Sequence, residues 1–309
     1  MSTPNPAAAP PPTSSTAPTA STAPAEGLTH RQILTILSGL MTGMFLAALD
    51  QNIVGTAIKT IADELQGLSA QAWVTTAYLI TSTIATPLYG KLSDIYGRKT
   101  FFMSAITIFI IGSAMCSFAG SMYQLAAFRA VQGIGAGGLF SLALAIIGDI
   151  VPPRERAKYQ GYFLAVFGTS SVLGPIIGGF FAGADSILGI TGWRWVFLVN
   201  VPVGLVALVI VARTLHVAHF PRRSAIDWWG AFTLVVGVVP LLLVAEQGRE
   251  WGWTSGNSLI AYAVGLVGLI AFVLVETRMG DAALIPMRIF RNRTIAIALG
   301  GGVVIGSGM

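Results

Sequence analysis

Eight apolar runs of about 20 residues divide this sequence, and a ninth begins before its end. That length is what a helix needs to cross the hydrocarbon core of a bilayer. The runs fall at roughly 33–58, 73–92, 102–120, 124–148, 161–183, 194–213, 228–246 and 257–277, with the ninth opening near 295. Lipid offers no partner for a free backbone N–H or C=O, so runs of this kind become helices. The fold class that follows is an all-α polytopic membrane protein. Composition agrees: only 10% of residues are charged, against about 25% in soluble domains. The ninth run reaches Met309 in mid-span, which reads either as a fragment of a longer protein or as a true short product.

Charge placement orients the runs. With the N-terminus in the cytoplasm, 14 of the 18 Lys and Arg fall on the inner side, and the positive-inside rule therefore favours that orientation. The net charge of +5 is spread over short loops, so it gives no reason to expect nucleic acid as a partner. All seven tryptophans stand at predicted helix ends, where indoles anchor in the membrane interface. Residues 1–26 are almost wholly Pro, Ala, Ser and Thr, and a disordered cytoplasmic tail over 1–30 is expected. Cys116, the single cysteine, excludes a disulfide within the chain. His216 and His219 have no third ligand nearby, so no metal is expected.

Two motif readings are rejected. GIGAGG at 133–138 matches a dinucleotide pattern but lies inside a span, where glycines serve close helix packing. No phosphate-binding GxxxxGK[ST] loop occurs, and no catalytic constellation suggests an enzyme.

The ionisable residues inside spans are informative because they are costly there. Asp50 is expected about 12 Å from the outer end of the first span and Arg129 about 7 Å deep in the fourth, from the rise of an α-helix. The pair can be an ion pair that only steadies the bundle, or a proton- or substrate-handling pair facing a cavity. Burial and a nearby arginine pull a carboxylate's proton affinity in opposite directions, so such a group can exchange a proton if its access alternates. Gly174, Pro175, Gly178 and Gly179 in the fifth span combine a helix-bending proline with glycines that admit a close neighbour. Between the second and third spans, GKLSDIYGRK over 90–99 reads as a short charged turn bounded by Gly90 and Gly97.

These segments resemble the major facilitator superfamily. GKLSDIYGRK is similar to its helix 2–3 signature, LAAFRAVQGIGAGG (125–138) to its fourth-helix motif, and LGPIIGG to the fifth-helix motif of antiporters. LDQNIV (49–54) and WRWVFLVNVPVG (193–204) resemble the first- and sixth-helix motifs of the fourteen-helix drug:proton antiporter branch. The first-helix motif departs from the family pattern at Asn52, Gly55 and Lys59, and Ser170 replaces a smaller residue before Gly174.

The resemblance implies a six-helix N-terminal bundle over 31–214, two additional helices over 215–280, and a cytoplasmic loop with the start of the C-terminal bundle over 281–309. It implies a proton-coupled exporter of amphipathic or cationic drugs or antibiotics in a bacterial inner membrane. No cofactor is implied beyond the proton gradient as energy source. Asp50 and Arg129 would carry coupling. Gly90, Asp94, Gly97, Arg98 and Asp149 would form a cytoplasmic latch, with Asp94 at a neighbouring helix N-terminus and Arg98 paired to Asp149. A non-transporting protein and a metabolite uptake transporter are the alternatives.

Overall fold

The computed structural model describes residues 29–215, 227–280 and 283–307. Most of the expected tail, and the link after the sixth span with His216 and His219, lie outside the described residues.

The first helix, α1, runs His30–Glu64. Thr29 starts it with a capping box: its hydroxyl accepts from the Gln32 N–H, and the Gln32 side chain accepts from the Thr29 N–H at 2.8 Å. At 35 residues α1 is about 52 Å long, well beyond the apolar run that marks it in the sequence. After it come α2 (Gln71–Tyr96), α3 (Arg98–Ser117), α4 (Met122–Ile150, capped by Ser121) and α5 (Arg156–Gly183). A two-stranded hairpin, β1 (Ser186–Ile187) and β2 (Ile190–Thr191), turns the chain at Leu188-Gly189. It leads into α6 (Trp195–Leu198) and α7 (Asn200–Thr214), which with the turn before them form one near-continuous span. Last are α8 (Trp228–Trp251), α9 (Gly256–Met279) and α10 (Arg293–Ser307).

Two expectations change here. The ten-residue turn at 90–99 does not exist as a turn. Helix α2 continues to Tyr96, and Gly97 alone, with φ +110°, separates it from α3. Lys91, Ser93 and Asp94 end the apolar run without ending the helix, because hydropathy and helical geometry need not stop together. Second, among the described residues seven helical segments are long and apolar enough to span a membrane, and α2 is not among them. Its 26 residues include five threonines and two serines. Thr76, Thr81 and Thr86 bond to their own helix carbonyls at 2.9 Å, which reduces the cost of placing hydroxyls there.

The packing of the first six spans has an internal symmetry. Helix α1 lies along α5, α2 lies along α4, and α3 meets α7. A two-fold exchange of the first three spans with the next three maps α1–α5 onto α4–α2. This is the signature of repeated three-helix units in transporters. Small residues bring the helices together. Gly133 and Gly137 of α4 press on α2, against Tyr78 O and the Thr81 hydroxyl and against Ser82 O and Ala85, whereas Gly135 and Gly138 face Ala105 and Phe109 of α3 and Tyr89 of α2.

Cations close the helix ends. Lys99 Nζ donates to Ala212 O at 2.7 Å, and Arg156 donates to Gly148 O and Val151 O at 2.6 and 3.0 Å. Arg194 donates to Ser117 O at the end of α3. Free C-terminal carbonyls carry partial negative charge, which a side-chain cation satisfies. Several of the basic residues that orient the chain therefore also cap it.

Candidate functional site

Asp50 is fully buried, and every polar contact it makes crosses to another helix. Its Oδ2 accepts from Arg129 Nη1 at 2.5 Å. Its Oδ1 accepts from Gln132 Nε2 at 2.9 Å and from Asn200 Nδ2 at 2.6 Å. Arg129 and Gln132 stand one turn apart on α4, so one face of that helix supplies both donors. Arg129 Nη1 also donates to Gln132 Oε1 at 2.8 Å, which closes a three-residue ring of contacts. Asn200, the first residue of α7, donates to Ser113 Oγ of α3 at 3.0 Å, and that hydroxyl donates to Phe197 O. Beneath the guanidinium lies Tyr78 of α2, its ring centroid 4.0 Å from Arg129 Cζ. Five helices thus converge on one carboxylate.

The environment is sealed. Asp50, Gln132, Asn200 and Ser113 are 0% exposed and Arg129 is 1% exposed. The sequence puts Asp50 and Arg129 in the outer half of the membrane, either facing a cavity or as an ion pair within the bundle, and the structure brings them together as a buried ion pair. Helix α1 extends to Glu64, so Asp50 sits 14 residues, or about 21 Å, from the C-terminal end of that helix. Arg129 is seven residues, or about 10 Å, inside α4. Asp50 does not line the groove beside α1. That groove, about 390 Å³, runs between α1 and α5 past Ser38, Met41, Thr42, Phe45, Ala165, Val166 and Thr169. Ionised groups in a dry interior need every partner, and only the bundle interior supplies an arginine and two amides together. Even so, three polar atoms here remain without a partner: Arg129 Nε, Asn200 Oδ1 and the Tyr78 hydroxyl.

A second cluster lies where the C-terminal ends of α2 and α4 meet the N-terminal end of α3. Arg98 Nη2 meets Asp94 Oδ1 at 2.5 Å, Nε meets Asp149 Oδ2 at 2.9 Å, and Nη1 donates to Ser93 Oγ at 2.5 Å and Gly90 O at 3.4 Å. Asp94 therefore pairs with the arginine four residues on, and does not cap a neighbouring helix as expected. The N-cap of α3 is Gly97, which has no side chain to offer. Gly90 lies within α2 with open space beside it, and it contributes its carbonyl rather than a turn. Gly97 remains a required glycine, since φ +110° is strained for any other residue.

The fifth-helix group divides. Gly174 packs on Asn52 of α1, and a Cβ at Gly178 would stand 2.8 Å from Ile53 O. Gly179 faces open space, and α5 runs unbroken through Pro175.

Sequence reasoning did not place Asn200, Gln132, Ser113 or Tyr78 in the central site. Asn200 left a signal, as an amide within an apolar run, where an unpaired polar group is costly. Ser113 and Tyr78 left none, because both residue types are common in spans without function.

The family profile described as Major Facilitator Superfamily matches residues 40–309. The chain belongs to the major facilitator superfamily. Among curated members, this superfamily chain is 42% identical over 270 residues to the multidrug transporter protein MdtP of Bacillus subtilis, covering 87% of itself and 48% of that protein. It is 42% identical over 264 residues to multidrug resistance protein 3 of the same organism, covering 85% and 50%. The chain thus spans about half the length of these relatives. The partially occluded, inward-open xylose transporter XylE from E. coli superposes with a TM-score of 0.54 at 17% identity, over 89% of this chain and 60% of that one. At that identity the likeness concerns the fold. Family and relatives are transporters, not enzymes, and the seven apolar helices fit a multi-pass membrane protein.

Proposed function

We propose that this chain carries the proton-coupling half of an exporter for amphipathic or cationic drugs, working in a bacterial inner membrane with its N-terminus in the cytoplasm. The fourteen-helix branch accounts for α8 and α9 as an inserted pair and for α10 as the opening of a second bundle. The observation that carries the reading is the Asp50–Arg129 ion pair, fully buried within the first bundle. The names of the relatives, multidrug transporters, supply the substrate class.

The geometry suggests how a proton would act. Protonating Asp50 removes the anion that neutralises Arg129. The guanidinium then keeps only Gln132 Oε1 and the Tyr78 ring, and an uncompensated buried charge is several kcal/mol uphill, roughly 3–5 by analogy with broken buried pairs. Movement of α4 against α1 relieves that state by bringing Arg129 to water. Alternation between the paired and separated states is the two-state element that transport requires. Arg98, joining α2 and α3 to Asp149 of α4, would hold one of the two states at the cytoplasmic face.

The test is dye efflux in everted vesicles containing the protein from its complete reading frame, driven by an imposed pH gradient. Asp50→Asn should abolish efflux while leaving the amount of protein in the membrane unchanged. Efflux at the wild-type rate would remove Asp50 from the mechanism.

A further inference from the structure

The cytoplasmic ends of α8 and α9 hold two buried carboxylates that the Asp50 network does not use. Asp227, 0% exposed, caps α8: its Oδ1 accepts from the Gly230 N–H at 2.7 Å. Its Oδ2 is sealed from solvent and has no hydrogen-bond partner. Glu276, in the last turn of α9, is 1% exposed. Its two oxygens accept from the N–H groups of Leu284 at 3.2 Å and Ile285 at 2.9 Å. Asp227 Oδ2 and Glu276 Oε1 lie 2.5 and 2.6 Å from the point where a Cβ on Gly230 would stand, so they are no more than about 5 Å apart. The position is glycine because the two carboxylates fill the space a side chain would need.

Two ionised carboxylates this close and out of water repel strongly, and one proton between them removes the repulsion. Both oxygens of Glu276 receive backbone N–H groups, whereas Asp227 Oδ2 is buried without a partner across the space beside Gly230. We propose that Asp227 and Glu276 form a second proton-binding site, one proton being held between the two carboxylates.

The surroundings give the proton a reach. Lys91 of α2 faces the pair, and its Nζ donates to Ala283 O at 3.1 Å. Arg278 and Arg288 at the same end are exposed to solvent. Residues 283–285 are therefore gripped from two sides, by Glu276 through amides and by Lys91 through a carbonyl. Lys91 lies on α2 two residues before Ser93, which is bonded to Arg98. Loss of the proton drives Glu276 from Asp227 and loosens the grip on 283–285. The cytoplasmic proton concentration is thereby read at the segment leading to α10. This site does not depend on Asp50 being the coupling carboxylate.

Infrared pH titration of the complete protein in lipid vesicles tests it. Wild type should show a protonated-carboxyl band that is lost in Asp227→Asn and in Glu276→Gln and kept in Asp50→Asn. Amide hydrogen exchange over 283–287 should rise with pH beyond the intrinsic base-catalysed increase in wild type and follow only that increase in Asp227→Asn. A band unchanged in both variants of the pair, or lost only with Asp50→Asn, overturns the proposal. A site answering to sodium at fixed pH, with no protonated-carboxyl band, would belong to a metal cation and would equally overturn it.

Discussion

Neutralising one member of the Asp50–Arg129 pair should cost more than neutralising both. In Arg129→Met, Asp50 keeps its two amide donors, Gln132 and Asn200, but loses its only countercharge. Breaking a buried pair costs about 3–5 kcal/mol, and the surviving amides place this variant near about 3. In Asp50→Asn the guanidinium retains Gln132 Oε1 and the Tyr78 ring 4.0 Å away. Both contacts are already present in the wild type and offset nothing, so the loss is about 3–5 kcal/mol. The double variant buries no charge and sets the new carboxamide among the amides of Gln132 and Asn200, at a cost of about 2 kcal/mol or less. The two changes should therefore be non-additive by at least about 4 kcal/mol, several hundredfold in the folding equilibrium. Denaturant titration of the purified protein in mixed micelles, followed by tryptophan fluorescence, measures all four corners of this cycle. Additivity within about 0.5 kcal/mol would refute the claim that the two charges neutralise each other in the folded state.

Three further outcomes follow from the packing and the topology. Gly135→Ala places a methyl 2.5 Å from Phe109 N and 2.6 Å from Ala105 O, both backbone, and should cost about 1–3 kcal/mol. Gly148→Ala, which meets nothing within 4 Å, should instead gain about 0.5–1 kcal/mol, and the same micelle titration separates the two. Arg98→Ala and Asp149→Ala should slow transport non-additively, because their 2.9 Å contact is shared; strict additivity of the rates would speak against the latch. Since Cys116 is the single cysteine and is buried, a new cysteine reports topology cleanly: Thr254→Cys should react with an impermeant maleimide in intact cells, and Arg154→Cys only after permeabilisation. The reverse pattern would invert the assigned orientation.

The residues legible in the sequence were those whose chemistry is out of place in lipid. Asp50 and Arg129 stood out because a charge in a span needs a reason, and Gly97 because a glycine parts two runs. What was not legible was direction. Helices α3, α4, α8 and α9 are apolar on nearly every side, so no periodicity says which face meets protein and which meets lipid. Asp50 was therefore readable as a cavity residue when it in fact points into the bundle. Helix ends were hidden for a related reason. Lys91 to Asp94 interrupt the apolar run, but they continue a helix that has left the hydrocarbon, so hydropathy marks the membrane boundary and not the end of α2. Asp227 and Glu276 were passed over because they sit at span edges, where carboxylates are ordinary; only their shared burial sets them apart.

The partner of Asp50 arrives late. Arg129 follows it by 79 residues, which a ribosome adds in roughly 4–16 s at about 5–20 residues per second. Asn200 follows by 150. Through that interval α1 has entered or is entering the bilayer with an uncompensated carboxylate near its middle, a position that insertion scales penalise by about 2.5–3.5 kcal/mol. The same exchange of partners that gives the bundle its symmetry, α1 with α5 and α2 with α4, means that neither three-helix unit can finish its own interior. Until the second unit is made, α1 therefore carries a carboxylate whose partners are still to come.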